Sequence, residues 1–537
     1  MNTTQQSIFP TAEQVPSEFK AEVLHQKEYL IDGEIKMWDS ETKDVMSPVC
    51  LMNDGVLKQQ HLGSFPMLTE VEAQEALDAA KKAYNKGRGL WPTMKVADRI
   101  ACMEKFIDLM KEQREAVVNL LMWEIGKNLN DSRKEFDRTV DYISDTINAV
   151  KELDRHGSRL ELEQGIYAQI KRGPLGVVFC MGPYNYPLNE TFATLIPALI
   201  MGNTTILKPA KYGVLLLQPL LKAFKESFPA GVVNVLNGKG SLLADYLMKT
   251  GEIDVLAFIG STGVANSLKK AHPKPNRLRS VLGLEAKNPA VVMADCDLEQ
   301  AVKECLLGSL SYNGQRCTAL KILFVHESIH DEFVRKFCEA VAYTKTGMPW
   351  ENPQITPLPE PHKPDYIKGL IEDALSKGAE VSSPHQLDDE MTFVYPKILT
   401  GVNAEMRAYH EEQFGPVVPI VSFRDVEEPI NYLTNSPYGQ QVSLFSNNAD
   451  TLATLVDPVI NQVCRVNINS QCQRGPDVYP FNGRKNSAEG TLSVSDALRQ
   501  FSIRTLVAAK DNEQNKKILS HIYAHRSSNF LSTEYIL

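Results

Sequence analysis

The sequence predicts an α/β protein built around a doubly wound parallel sheet, with a second βα series after it, and three observations predict this. From residue 173, apolar runs rich in β-branched residues alternate with amphipathic stretches: GPLGVVFCMG, 190–201, NTTILKPA, 212–227, GVVNVLNGKG, 241–249 and DVLAFIGST. Such alternation makes βαβ units, which require a parallel sheet covered by helices. Three of these runs pass directly into small-residue loops, Gly182-Pro183, Asn237-Gly238-Lys239-Gly240 and Gly260-Ser261-Thr262-Gly263. Doubly wound sheets bind ligands beyond the carboxyl ends of their strands, so a nucleotide with its phosphates at those loops is the natural ligand. The second series begins near Pro289-Ala290-Val291-Val292-Met293 and continues as helix 297–310, strand 320–326 and helix 331–344.

The flanking elements follow from local signals. Residues 1–25 are polar, contain Pro10 and Pro16 and show little periodicity, which predicts a loosely held arm. Thr69-x-x-Glu72 is a capping box opening a helix through about Tyr84, and 94–125 and 131–153 continue in helical period. Leu160 to Lys171 alternates around Gly165 and predicts a hairpin leaving the main body. Pro349 to Pro364 contains six prolines and predicts an irregular surface excursion, with elements resuming at Tyr366.

A chain of 537 residues exceeds what one hydrophobic core supports, so two or more domains are expected. Its 57 basic and 66 acidic residues give a net charge of −9, with no long run of either sign. Bulk charge therefore predicts neither nucleic acid nor an anionic membrane as a partner, and any anion site must be a local cluster. The nine cysteines are scattered without a Cys-x-x-Cys pair, which predicts reduced thiols and no metal site. The start lacks the basic and apolar regions of a signal peptide, and no apolar stretch approaches the ~20 residues of a membrane span; a soluble cytoplasmic protein is expected.

The chemistry centres on Ser311-Tyr312-Asn313-Gly314-Gln315-Arg316-Cys317-Thr318-Ala319, where one cysteine follows an arginine. A thiolate is the reactive form of cysteine, and a neighbouring guanidinium or backbone donors from a glycine-containing loop favour it, so Cys317 is a candidate nucleophile. On its own the residue fits better as a small buried hydrophobe. GPYNYP at 182–187, LKPAK at 207–211, FIGSTG at 258–263, GQRC at 314–317 and EEQFGPV at 411–417 then occur in an order and spacing that resemble the aldehyde dehydrogenase superfamily over residues 25 to 510.

The resemblance implies an aldehyde dehydrogenase-like fold: a Rossmann-type cofactor-binding domain (26–158 and 174–287), an α/β catalytic domain (288–495) and a small oligomerisation sheet (159–173 and 496–510). The polar arm 1–25 and a C-terminal extension 511–537 lie outside it. It also implies a homodimer or homotetramer in which the 160–171 hairpin and a strand near 500–509 cross between subunits. By the same resemblance Cys317 attacks an aldehyde, and the Asn185 amide with the Cys317 N–H forms the oxyanion hole. Gly260 and Ser261 lie at the cofactor pyrophosphate, Lys208 reaches the adenosine ribose, and Glu412 and Phe414 hold the nicotinamide ribose. Lys211 stands where NAD-preferring members commonly carry a Glu that repels a 2′-phosphate; the reversed charge predicts NADP over NAD.

Four further positions resemble the non-phosphorylating NADP-dependent glyceraldehyde-3-phosphate dehydrogenases: Arg138 in FDRT, Tyr186 in YNYP, Arg316 in GQRC and Arg474 in QCQRG. Arginine forks suit a phosphate dianion, so these residues are expected to bind the substrate. The pattern breaks at one place. The family's general base is the Glu of an E-L-G-G-K run 34 residues before the nucleophile, and here the run reads Gly283-Leu284-Glu285-Ala286-Lys287. Glu285 is the carboxylate left nearby, displaced by two residues. Three readings follow: NADP-dependent oxidation of a small phosphorylated aldehyde, transfer of the acyl group to coenzyme A, or a nucleotide-binding protein whose catalysis is impaired.

Overall fold

The computed structural model describes residues 7–382 and 388–534. Five parallel strands form the middle of the first sheet, in the order Arg279–Gly283, Val255–Ile259, Val177–Met181, Thr204–Lys208 and Val233–Val235. The chain starts at Val177–Met181, winds outward through 204–208 and 233–235, then returns to the other side of its starting strand. The point where the winding reverses lies between Val177–Met181 and Val255–Ile259, and a crevice opens there beyond the strand ends. This explains why two of the three small-residue loops reach the main cavity and the third does not. Gly182-Pro183 and Gly260-Ser261 flank the reversal and line the cavity, whereas Asn237 to Gly240 follows a strand two places away and is absent from its wall.

Antiparallel strands close both edges of this sheet: Glu28–Ile31 and Glu34–Met37 on one side, Ala488–Glu489 on the other. The N-terminal strands were not foreseen. Neither was the long hairpin of Thr42–Asn53 and Val56–Pro66, where Pro48 and two register shifts break the alternation that marks a strand. The arm is also better held than expected. From Ser7 onward it packs on the body, with Phe9 and Val15 buried and Thr11 bridged to Met52, because it carries enough apolar surface to dock.

The second sheet runs Glu380–Val381, Lys397–Thr400, Val417–Phe423, Leu320–His326, Asn288–Val292, Gln441–Phe445 and Arg465–Ile468, parallel except at the 380–381 edge. A third sheet pairs Leu160–Glu163, Ile166–Pro174 and Ser502–Lys510. Here Ser502–Lys510 pairs along its whole length with Ile166–Pro174 of its own chain, so the backbone pairing itself closes within one subunit. Helix Glu513–Ala524 and the residues after it fold back on this sheet, where Gln169 donates to the Ser532 carbonyl and accepts from the Tyr523 hydroxyl.

Two elements position the site. Helix Asn189–Ile200 has every residue buried and is mostly apolar after its first turn, as a helix between two layers must be. The Pro349–Pro364 segment is irregular as predicted but lies inside rather than on the surface. Ile355, Thr356 and Leu358 are buried, and the Asn313 side chain exchanges two hydrogen bonds with Thr356, at 3.0 and 2.9 Å. Proline lacks an N–H to satisfy, so such a segment is cheaper to bury than other irregular backbone.

Candidate active site

All the candidate residues named from the sequence line one cavity of about 1010 Å³ between the two sheets. Cys317 lies on a tight approach to strand Leu320–His326. Helix Leu298–Leu310 ends, Tyr312, Asn313 and Gly314 all take positive φ (50°, 58° and 70°), and the chain reverses into the cavity wall. The reversal is held from outside: Asn313 by Thr356, the Tyr312 hydroxyl on the Ile125 carbonyl, and the Cys317 carbonyl by Asn288 Nδ2 at 2.8 Å and Lys321 Nζ at 3.2 Å. Burial pushes the Cys317 thiol above its ordinary pKa, and Glu190 pushes in the same direction while Lys321 and Arg474 oppose.

Arg316 does not act on that thiol. Its guanidinium turns away to the end of helix Leu298–Leu310, where Nη2 donates to the Leu307 and Gly308 carbonyls at 3.2 and 2.9 Å. A cation at a helix carboxyl end meets unsatisfied carbonyls and the negative pole of the helix, which outcompete a neutral thiol. Its Nε is buried with no partner among the described residues, so the side chain keeps a donor for a ligand.

Asn185 reaches the same place from the loop after Val177–Met181. Nδ2 donates to the Gln315 carbonyl at 2.7 Å, which uses one of its two N–H groups. The loop is fixed by a pair the sequence did not reveal. Lys127 and Glu135 form a fully buried ion pair; Lys127 Nζ donates to the Asn185 carbonyl at 2.7 Å and lies 3.6 Å over the Tyr186 ring, and Glu135 accepts from the Leu188 and Asn189 N–H groups. No periodicity or motif announces Lys127, which follows the helix-ending Gly126 and would pass for a solvated lysine.

At the cofactor end, Lys208 is buried and its Nζ donates to the Pro209 carbonyl; burial lowers its pKa to about 8. Lys211 is exposed, 3.1 Å from the Tyr212 hydroxyl. Ser261 caps helix Thr262–Ala271, whose amino end faces the cavity. Two lysines that meet no carboxylate among the described residues, beside a helix amino terminus, form a donor set suited to a phosphorylated dinucleotide. Glu412 is already engaged, ion-paired with Lys321 and accepting from the Ala286 N–H, next to Phe414. Tyr184, also unannounced by the sequence, donates to Glu360 at 2.7 Å and packs edge-on against Phe414.

At the opposite end, the arginines are not free cations. Arg138 makes a bidentate pair with Asp477 at 2.8 and 2.6 Å. Arg474 is ion-paired with Glu190 and with Asp477, the latter at 3.2 Å, and donates to the Leu492 carbonyl. Two of the three arginines are balanced by Glu190 and Asp477, and among the described residues Arg316 pairs with no carboxylate. Buried guanidinium groups require such partners. Gly283 ends strand Arg279–Gly283 on the cavity wall, and Glu285 accepts from the Thr262 N–H at 2.9 Å, holding the start of that helix.

The aldehyde dehydrogenase family model matches residues 50–507. The chain belongs to the aldehyde dehydrogenase family. A relative from Streptococcus equinus named NADP-dependent glyceraldehyde-3-phosphate dehydrogenase is 34% identical over 465 residues, 84% of this chain and 92% of the relative. One of the same name from Arabidopsis thaliana is 31% identical over 491 residues, 89% of this chain and 96% of the relative. The crystal structure of an NADP-dependent glyceraldehyde-3-phosphate dehydrogenase from Bacillus halodurans C-125 complexed with NADP superposes with a TM-score of 0.81 at 30% identity, covering 91% of this chain and all of that one. The family places the chain among oxidoreductases. Among the described residues no helix is long and apolar enough to cross a membrane, and no group of side chains is arranged to hold a metal.

Proposed function

We propose that this protein uses NADP to oxidise a small phosphorylated aldehyde, glyceraldehyde 3-phosphate foremost, to its acid through a thioester on Cys317. The observation that carries the reading is the single cavity that joins Cys317 and Asn185 to the Lys208 and Lys211 mouth on one side and to Arg138, Tyr186, Arg316 and Arg474 on the other. The names of the most similar relatives support both cofactor and substrate. Lys208, Lys211 and Ser261 would hold NADP, which when bound supplies the hydride acceptor that converts the Cys317 thiohemiacetal to a thioester.

The chain's own residues do the rest. The Cys317 sulfur adds to the aldehyde carbon, and the oxygen that becomes negative accepts from Asn185 Nδ2 and the Cys317 N–H; one such donor is worth ~3 kcal/mol of barrier. Arg316, the cation with a donor to spare, takes the substrate's anionic arm, with the Tyr186 hydroxyl beside it. The protein works in the cytoplasm as a homodimer or homotetramer. The apolar, exposed Leu160, Leu162, Ile503 and Leu506 on the three-stranded sheet support assembly through that face.

A phosphate-free assay with NADP, glyceraldehyde 3-phosphate and unphosphorylated aldehydes tests this reading. Arg316→Ala should raise KM for the phosphorylated aldehyde by roughly 10- to 100-fold, the worth of a charge-assisted hydrogen bond, and leave KM for a neutral aldehyde nearly unchanged. Equal effects on both would refute the assignment of Arg316. A second reading, a neutral hydroxylated aldehyde, is favoured by the pairing of Arg138 and Arg474 with carboxylates, and the same panel decides between them.

A further inference from the structure

Clearing the thioester requires a group that takes a proton from water, and position 283 supplies none. Its glycine is not demanded by the backbone: φ is not positive, and the atoms nearest a Cβ built there belong to the Ile259 and Leu492 side chains, at 3.4 to 3.7 Å. A Cβ at position 283 is accommodated at ordinary contact distances. The cavity wall holds five glutamates, each with at least one carboxylate oxygen already bonded. Glu135 serves Lys127 and two backbone N–H groups, Glu285 the Thr262 N–H, Glu360 the Tyr184 hydroxyl and Lys363, and Glu412 Lys321 and the Ala286 N–H.

Glu190 is placed differently. It sits in the first turn of the wholly buried helix Asn189–Ile200, five residues after Asn185 and on the wall that also carries Cys317. Arg474 holds its Oε2, and among the described residues no donor meets Oε1. Of the charged groups that act on the Cys317 thiol, Glu190 has the largest effect, ahead of Lys321 and Arg474. We propose that Glu190 is the general base of deacylation, anchored through Oε2 on Arg474 with Oε1 free to take a proton from the attacking water.

In this step the water oxygen bonds to the acyl carbon as its proton passes to Glu190. The C–S bond breaks, its electron pair returns to Cys317 as thiolate, and the acid leaves; Glu190 then releases the proton to solvent. No electrons change hands. The Arg474 pair holds the carboxylate in place, the positioning a base requires. The inference rests on the aldehyde-oxidising reading above.

Rapid mixing with NADP, glyceraldehyde 3-phosphate and a panel of unphosphorylated aldehydes tests it on the full-length protein. Glu190→Gln should keep a burst of one NADPH per active site and lose at least ~100-fold in the steady rate that follows, the scale of general-base catalysis. Because one negative charge beside the thiol is gone, iodoacetamide should modify Cys317 faster in this variant at neutral pH. Adding Gly283→Glu to Glu190→Gln should restore turnover, and Glu190→Asp should fall between the two. A steady rate in Glu190→Gln within about threefold of wild type, burst and steady rate lost together with unchanged alkylation, or a wild-type steady rate that requires coenzyme A would each overturn the proposal. A burst with an unphosphorylated aldehyde but none with glyceraldehyde 3-phosphate would refute the substrate alone, and Glu190 would then be judged on the aldehyde that reacts. No burst with any aldehyde overturns both.

Discussion

Cys317 lies where burial and a carboxylate both favour the thiol over the thiolate, with Lys321 and Arg474 pulling the other way. A raised pKa means that less thiolate is present at neutral pH, so the rate of Cys317 alkylation in the free protein should still be climbing at pH 9, the ordinary value for a cysteine. A plateau near neutrality would contradict this environment. At the other end of the cavity, Lys211 is exposed, so its charge is screened by solvent and salt. Lys211→Glu should shift the ratio of kcat/KM values for NADP and NAD toward NAD, more strongly at low ionic strength; an unchanged ratio would remove Lys211 from cofactor selection. The residues of this site were legible in the sequence wherever a contiguous motif carries them, as in GPYNYP or GQRC. Their charge balance was not. Glu190 and Asp477 meet Arg474 and Arg138 only because the helix beginning at Asn189, the helix Leu129–Gly157 and the 474–477 loop converge, and no spacing along the chain encodes that meeting.

Among the elements, the buried Lys127 and Glu135 pair is the main device that fixes the Asn185 loop. Burial lowers the Lys127 pKa, and the ammonium remains tolerable only through Glu135, the Asn185 carbonyl and two aromatic faces. Lys127→Met leaves Glu135 buried and unpaired, which costs about 3–5 kcal/mol. It should lower the thermal midpoint and slow acylation by loosening Asn185, and Glu135→Leu added to it should recover part of the stability. A midpoint unchanged in Lys127→Met would contradict the role given to the pair. The βα alternation from 173 to 344 was readable because buried parallel strands are nearly all apolar and their helices are not. The proline-rich segment was misread as surface because proline composition reports irregular backbone and says nothing of depth; Ile355 and Leu358 were the clue to its burial.

In the whole molecule, the reversal of winding between Val177–Met181 and Val255–Ile259 determines where a dinucleotide fits, and the Cys317 reversal in the second sheet faces that crevice. The two sheets are tied together by Ala488–Glu489, which leaves the C-terminal half to pair with Arg279–Gly283 at the edge of the first sheet. Ligand binding across this cavity should stabilise both halves at once: NADP at 100 times its Kd adds about 2.7 kcal/mol, read as a concentration-dependent rise in the thermal midpoint. The absence of any rise would argue against a cofactor site. The most direct test of the central claim is NADP reduction with glyceraldehyde 3-phosphate in phosphate-free buffer by the wild type and by Cys317→Ser. The account predicts one NADPH per acid formed in the wild type and none in the variant; activity that survives in Cys317→Ser, or a wild type inert toward every aldehyde, would contradict it.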